Sequence, residues 1–75
     1  MQETNILSRI PGEYVAAAGK GLPDVGKTKE SEVEATIEVP GHGRVIFTFT
    51  RMRHKRGRST HTWWAAKAAR ATPSN

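Results

Sequence analysis

The amino-acid sequence predicts a small α+β domain: an antiparallel hairpin or three-stranded sheet, with its core at about residues 32–54, and a C-terminal helix on its face at about 62–71. Three observations carry that expectation. "EVEATIEV" alternates with period two, "RVIFTFTRMR" is β-branched and aromatic, and five alanines fall within residues 65–71. Seventy-five residues make a single domain spanning 1–75. A chain this short buries only roughly 60–65% of its unfolded surface, so the core is thin.

Taken in order, "NILSRIPGEYVAAAG" holds two short apolar runs around Pro11-Gly12. Pro-Gly suits a type II turn, because Pro fixes φ and Gly takes the positive φ that follows. Two short strands or an irregular arm both fit. Residues 19–31, rich in Gly, Lys and turn formers, read as a flexible loop. Next, Val33, Ala35, Ile37 and Val39 point one way and Glu32, Glu34, Thr36 and Glu38 the other, as in a strand with one wet face. "PGHG" turns the chain. Val45, Phe47 and Phe49 then share one face of a second strand, and Ile46, Thr48, Thr50 and Met52 the other. Acidic residues on the first strand and Arg44, Arg51 and Arg53 on the second favour pairing electrostatically.

The last segment, "THTWWAAKAARA", has two readings. Its alanines favour a helix, with Thr62 as N-cap and Lys67 and Arg70 toward the C-terminal end of the dipole. Thr60, Thr62 and the two tryptophans favour a strand instead. In that alternative residues 59–70 close an all-β meander or a small SH3- or OB-like barrel, and residues 72–75 fray in either case.

"GLPDVGKT", residues 21–28, satisfies the phosphate-loop pattern G-x-x-x-x-G-K-[ST]. That loop needs a buried strand before it and a helix after it. Here a small-residue run precedes it and alternation follows, and Asp24 sets a carboxylate where phosphate would lie. The match is read as coincidence. His42, His54 and His61 lack nearby carboxylates, so no metal is expected, although His54 and His61 face each other if the last segment is a strand. The serines show no nucleophile–base spacing, and the glutamates form an ordinary wet strand face. Neither an enzyme nor a cofactor is expected.

Charge says more. All seven acidic residues lie at or before Glu38, where four basic residues leave −3; beyond it eight basic residues and no acid give +8. An asymmetry of this kind points to a polyanion. Arg51, Arg53, Lys55, Arg56 and Arg58, with His54 among them, crowd into eight residues, and a polyanion relieves their repulsion. Arg44, Lys67 and Arg70 extend the patch, and either Trp63 or Trp64 is a candidate for stacking on a base. As a hairpin the segment would suit a duplex groove.

The expected function is therefore a non-enzymatic accessory or regulatory protein that binds DNA or RNA. The alternative is a small interaction or inhibitor module, as a homodimer or against an acidic partner. The absence of cysteine fits a reducing cytoplasm, "MQETNILSRI" lacks the basic and apolar regions of a secretory signal, and no apolar run is long enough to cross a membrane.

Overall fold

Alternation in the sequence becomes pairing in space. The computed structural model describes residues 5–72, and in it strands β1 (Glu32–Val39), β2 (Gly43–Arg56) and β3 (Ser59–Ala71) form an antiparallel sheet in the order β1-β2-β3. One short helix, α1 (Gly12–Lys20), accompanies it.

Register puts the expected apolar faces together. Val33, Ala35 and Ile37 lie opposite Phe49, Phe47 and Val45. Ala66, Ala69 and Ala71 lie opposite the same three residues on the other side of β2. Phe47, Val45 and Val39 are the largest fully buried side chains, and Phe49 is 4% exposed. Ile10, Ala18 and Ala69 complete the buried set. Ile6, Leu7, Tyr14, Val15, Leu22 and Trp64 pack around its rim. Among the described residues only one side of the sheet is covered in this way.

Two turns set the register. Val39-Pro40-Gly41-His42 is a type II turn: Gly41 has φ +85° and the His42 N–H donates to the Val39 carbonyl at 2.9 Å. The β2–β3 connection needs only Gly57 and Arg58, with positive φ at Gly57 alone (+62°). A type II′ hairpin turn has that pattern, and its twist matches the strands.

The C-terminal segment is the main correction to the sequence expectation. Residues 62–71 form no helix; Ser59–Ala71 is a strand paired with β2 along its length, as in the alternative reading. Alanine's helix propensity is worth only tenths of a kcal/mol per residue. The tight turn at Gly57 brings this segment beside β2, whose Phe47 and Phe49 need cover. The small alanines also let the N-terminal segment close over β3: the Ile6 N–H donates to the Ala69 carbonyl at 2.8 Å, and the Ala69 N–H donates to Asn5 Oδ1 at 3.0 Å. One residue, at Lys67, is extra in the ladder, between the pairs Thr48–Ala68 and Phe49–Ala66.

Residues 5–20 also differ from expectation. Neither strands nor a turn at Pro11-Gly12 form. A single 3₁₀ turn (Leu7–Arg9) leads through Pro11, with φ −57° and ψ 142°, into α1. Ala16, Ala17 and Ala18 favour that helix, Glu13 sits in its first turn and Lys20 in its last. Its half-buried and buried residues, Tyr14, Val15, Ala18 and Gly19, fall on one helical face against the sheet. Since α1 includes Gly19 and Lys20, the irregular run covers residues 21–31 rather than 19–31. The expected frayed tail lies outside the described residues except for Thr72, whose N–H donates to the Arg44 carbonyl at 2.9 Å.

Candidate functional site

β2 and β3 outrun the rest of the fold. β1 pairs with β2 only as far as Thr50, whereas the β2–β3 ladder continues to Arg56 and Ser59. Residues 51–64 therefore form a two-stranded ribbon beyond the three-stranded body. Six residues of β2 at about 3.3 Å each give it a reach of about 20 Å. The molecule measures 49 × 27 × 21 Å.

The ribbon's root is tied down. The Trp64 indole Nε1 donates to the Pro23 carbonyl at 2.9 Å, and the Arg51 guanidinium donates to the Thr28 carbonyl. Arg51 and Trp64 are opposite each other, with the guanidinium carbon 5.8 Å from the centroid of the indole ring. Arg51 Nε is buried without a hydrogen-bond partner among the described residues. Arg51 and Trp64, both expected in the binding surface, thus each donate a hydrogen bond to the 21–31 loop.

That loop contains the phosphate-loop pattern. It runs from a helix into a strand, the reverse of the order a phosphate cradle uses. The Gly26 N–H donates to Asp24 Oδ1 at 2.9 Å and the Lys27 N–H to the Asp24 carbonyl at 2.9 Å. Two amides a phosphate would need are already satisfied by Asp24.

Beyond the root, strand alternation splits the ribbon into two faces. Arg53 and Lys55 share the inner side with Thr62 and Thr60 opposite them. On the outer side Met52 faces Trp63, His54 faces His61, and Arg56 faces Ser59. Arg58 is in the turn. Arg53, His54, Lys55, Arg56 and Arg58 are exposed, and among the described residues no carboxylate pairs with any of the four cations.

The remaining expected site residues lie elsewhere. Lys67 Nζ reaches Glu32 Oε2 at 2.7 Å, and Arg70 Nη2 reaches Glu34 Oε2 at 3.2 Å. Both pairs cross the outer face of β2, from the last strand to the first. Arg44 stands opposite Glu38 at the far end of β2 from the ribbon tip. The nine cationic and imidazole residues expected to form the surface therefore divide: Arg53, His54, Lys55, Arg56 and Arg58 come together on the ribbon, and Arg44, Arg51, Lys67 and Arg70 do not join them.

An aromatic feature was not foreseen. The His61 and Trp63 rings stack, with centroids 5.1 Å apart and planes 25° from parallel. Trp63 is 36% exposed and Met52 opposite it 41%, while Trp64 packs on the core rim. The i, i+2 spacing of His61 and Trp63 signals a shared face only once the segment is read as a strand. An open cleft of about 470 Å³ lies beside the stack, lined by His54, Arg56, Ser59, Thr60, His61 and Trp63. Among the described residues no group of three or more His, Asp or Glu side chains is placed to hold a metal ion, and no helix is long and apolar enough to cross a membrane. No protein-family model matches the chain, and neither a curated protein nor a solved structure does.

Proposed function

We propose that the protein is a non-enzymatic nucleic-acid-binding accessory protein and that the β2–β3 ribbon makes its phosphate contacts through Arg53, Lys55, Arg56 and Arg58. The observation that carries this reading is the division between paired and unpaired charge. Lys67 and Arg70 meet glutamates across the sheet, whereas the four ribbon cations have no carboxylate partner among the described residues. Four like charges on a narrow projection repel one another, and each phosphate they neutralise releases a condensed counterion. Three of the four are arginines, whose planar forks bind phosphate oxygens bidentately. Two strands about 4.8 Å apart are slim enough to enter a groove or lie along a single strand.

The test is equilibrium binding of fluorescein-labelled DNA and RNA oligonucleotides, read by anisotropy as salt rises. Affinity must fall steeply with salt; a flat response ends the proposal.

A second reading is interaction with protein. β1 is an edge strand, and its wet side carries Glu32, Glu34 and Glu38. A partner strand, including one from a second copy, would extend the sheet there. Sedimentation that shows a monomer at all working concentrations removes the homodimer from this reading.

A further inference from the structure

The cations account for the ribbon's charge but not for its outer face. A molecule with so thin a core leaves Trp63 and Met52, opposite each other, 36% and 41% exposed. Burial of such side chains is what a small domain most lacks. Beside them the His61 and Trp63 rings stand stacked 5.1 Å apart. Toward the tip the small Ser59 side chain leaves open the cleft of about 470 Å³, a size typical of small-ligand sites. Arg56, also on its wall, brings a guanidinium with no carboxylate partner among the described residues.

We infer that this cleft takes an unpaired nucleobase, stacked on the His61–Trp63 platform with its phosphate at Arg56. The inference rests on the proposed nucleic-acid reading and narrows it to single-stranded or locally unpaired substrate. In a duplex the π-faces of the bases are covered by their neighbours, and the grooves offer only edges. A wall of aromatic rings has nothing to gain from an edge and much from a face. The Ser59 hydroxyl and the His54 imidazole, both on the outer side, supply polar contacts to the base edge without selecting one base, since a hydroxyl both donates and accepts. The inner face, with Arg53 and Lys55 beside Thr62 and Thr60, is left to follow the backbone.

The test compares a labelled oligo-dT single strand with a closed hairpin duplex of equal phosphate number at matched salt. A Trp64→Phe background makes Trp63 the sole tryptophan. The single strand should bind several-fold tighter than the duplex and quench the Trp63 emission. Trp63→Leu, which keeps apolar bulk and loses the ring system, should weaken single-strand binding roughly 5- to 150-fold, leaving duplex binding and the salt slope unchanged. Trp63→Phe should restore part of the loss. Circular dichroism and the melting temperature check that each variant folds. If both ligands bind with a salt slope but equally, and Trp63→Leu affects neither, the base site is wrong and the phosphate-binding reading survives. If neither ligand binds in a salt-dependent way, that reading fails and takes the base site with it.

Discussion

The division of charge between ribbon and body makes a quantitative prediction about salt. If the four ribbon cations each neutralise a phosphate, the logarithm of affinity should fall against that of salt with a slope of about −2.8 for a single strand, or about −3.6 for a duplex. Between 50 and 200 mM salt that is about a 50-fold loss for a single strand. Replacing Arg53, Arg56 and Arg58 together by alanine leaves one such cation, and the loss should shrink to about 3-fold. The control removes as much basic charge as one ribbon residue carries while leaving the net charge alone: Lys67→Gln with Glu32→Gln deletes a pair whose side chains are 57% and 47% exposed. Exposed pairs contribute about 0–1 kcal/mol, so the fold should tolerate the change. The control should keep the full 50-fold response. Anisotropy titrations at four salt concentrations measure all three proteins. Should the control flatten the slope as much as one ribbon arginine, or the triple variant stay steeper than about −2, the charges act as a diffuse cloud and the ribbon has no special role.

Other consequences concern the fold that holds the ribbon out. Phe47→Ala removes a fully buried ring and should cost about 3–5 kcal/mol in chemical denaturation. That is much of the whole stability of a domain this size, so the variant should be substantially unfolded at 37 °C. Gly57→Ala places a side chain at φ +62° and should cost about 1–2 kcal/mol locally. The cost should appear as faster amide exchange near the tip, with the body unchanged. Trp64→Phe keeps an aromatic ring, smaller than the indole, but loses the bond to the Pro23 carbonyl, and the lost bond should lower stability by about 0.5–1.5 kcal/mol. In the unaltered protein, amides 53–62 should exchange well before those of Phe47 and Phe49, because a two-stranded hairpin without a third strand or a covering layer is marginal in water. Uniform protection along β2 would contradict that account of the ribbon.

Two Pro-Gly dipeptides show why part of the fold was legible and part was not. Pro40-Gly41 forms the type II turn the dipeptide favours, with Gly41 at φ +85°. Pro11-Gly12 does not: Pro11 caps α1 and Gly12 enters it. The difference lies downstream. Glu13 and the alanines that follow sustain a helix once started, whereas Gly43, Arg44 and Val45 lead at once into a strand. The β1–β2 hairpin was readable because period two leaves one register that buries Val33, Ala35, Ile37 and Val39. Residues 65–71 were ambiguous because alanine alternates invisibly, being small and apolar at every position. Only the neighbouring strand decides which alanines face Phe47 and Phe49. The clustered cations were legible as composition. Their pairing was not, because Lys67 and Glu32 meet across an intervening strand.

That crossing bears on how the ribbon works. The glutamates of β1 cannot reach the tip, because β1 stops pairing at Thr50 and its wet face lies beside Lys67 and Arg70. Continued in the same register, β1 would set Lys29 opposite Arg53 and Lys27 opposite Lys55, adding like charge to the ribbon and no carboxylate beside Arg56. The start of β1 at Glu32 therefore keeps its glutamates beside Lys67, Arg70 and Arg44 and away from the ribbon cations. The 21–31 loop, joined to Trp64 and Arg51, then fixes the ribbon at the point where the pairing of β1 stops. On the proposed reading, a ribbon held at its root would meet an extended ligand without rearranging the core, so that binding energy would not be lost to reordering the body.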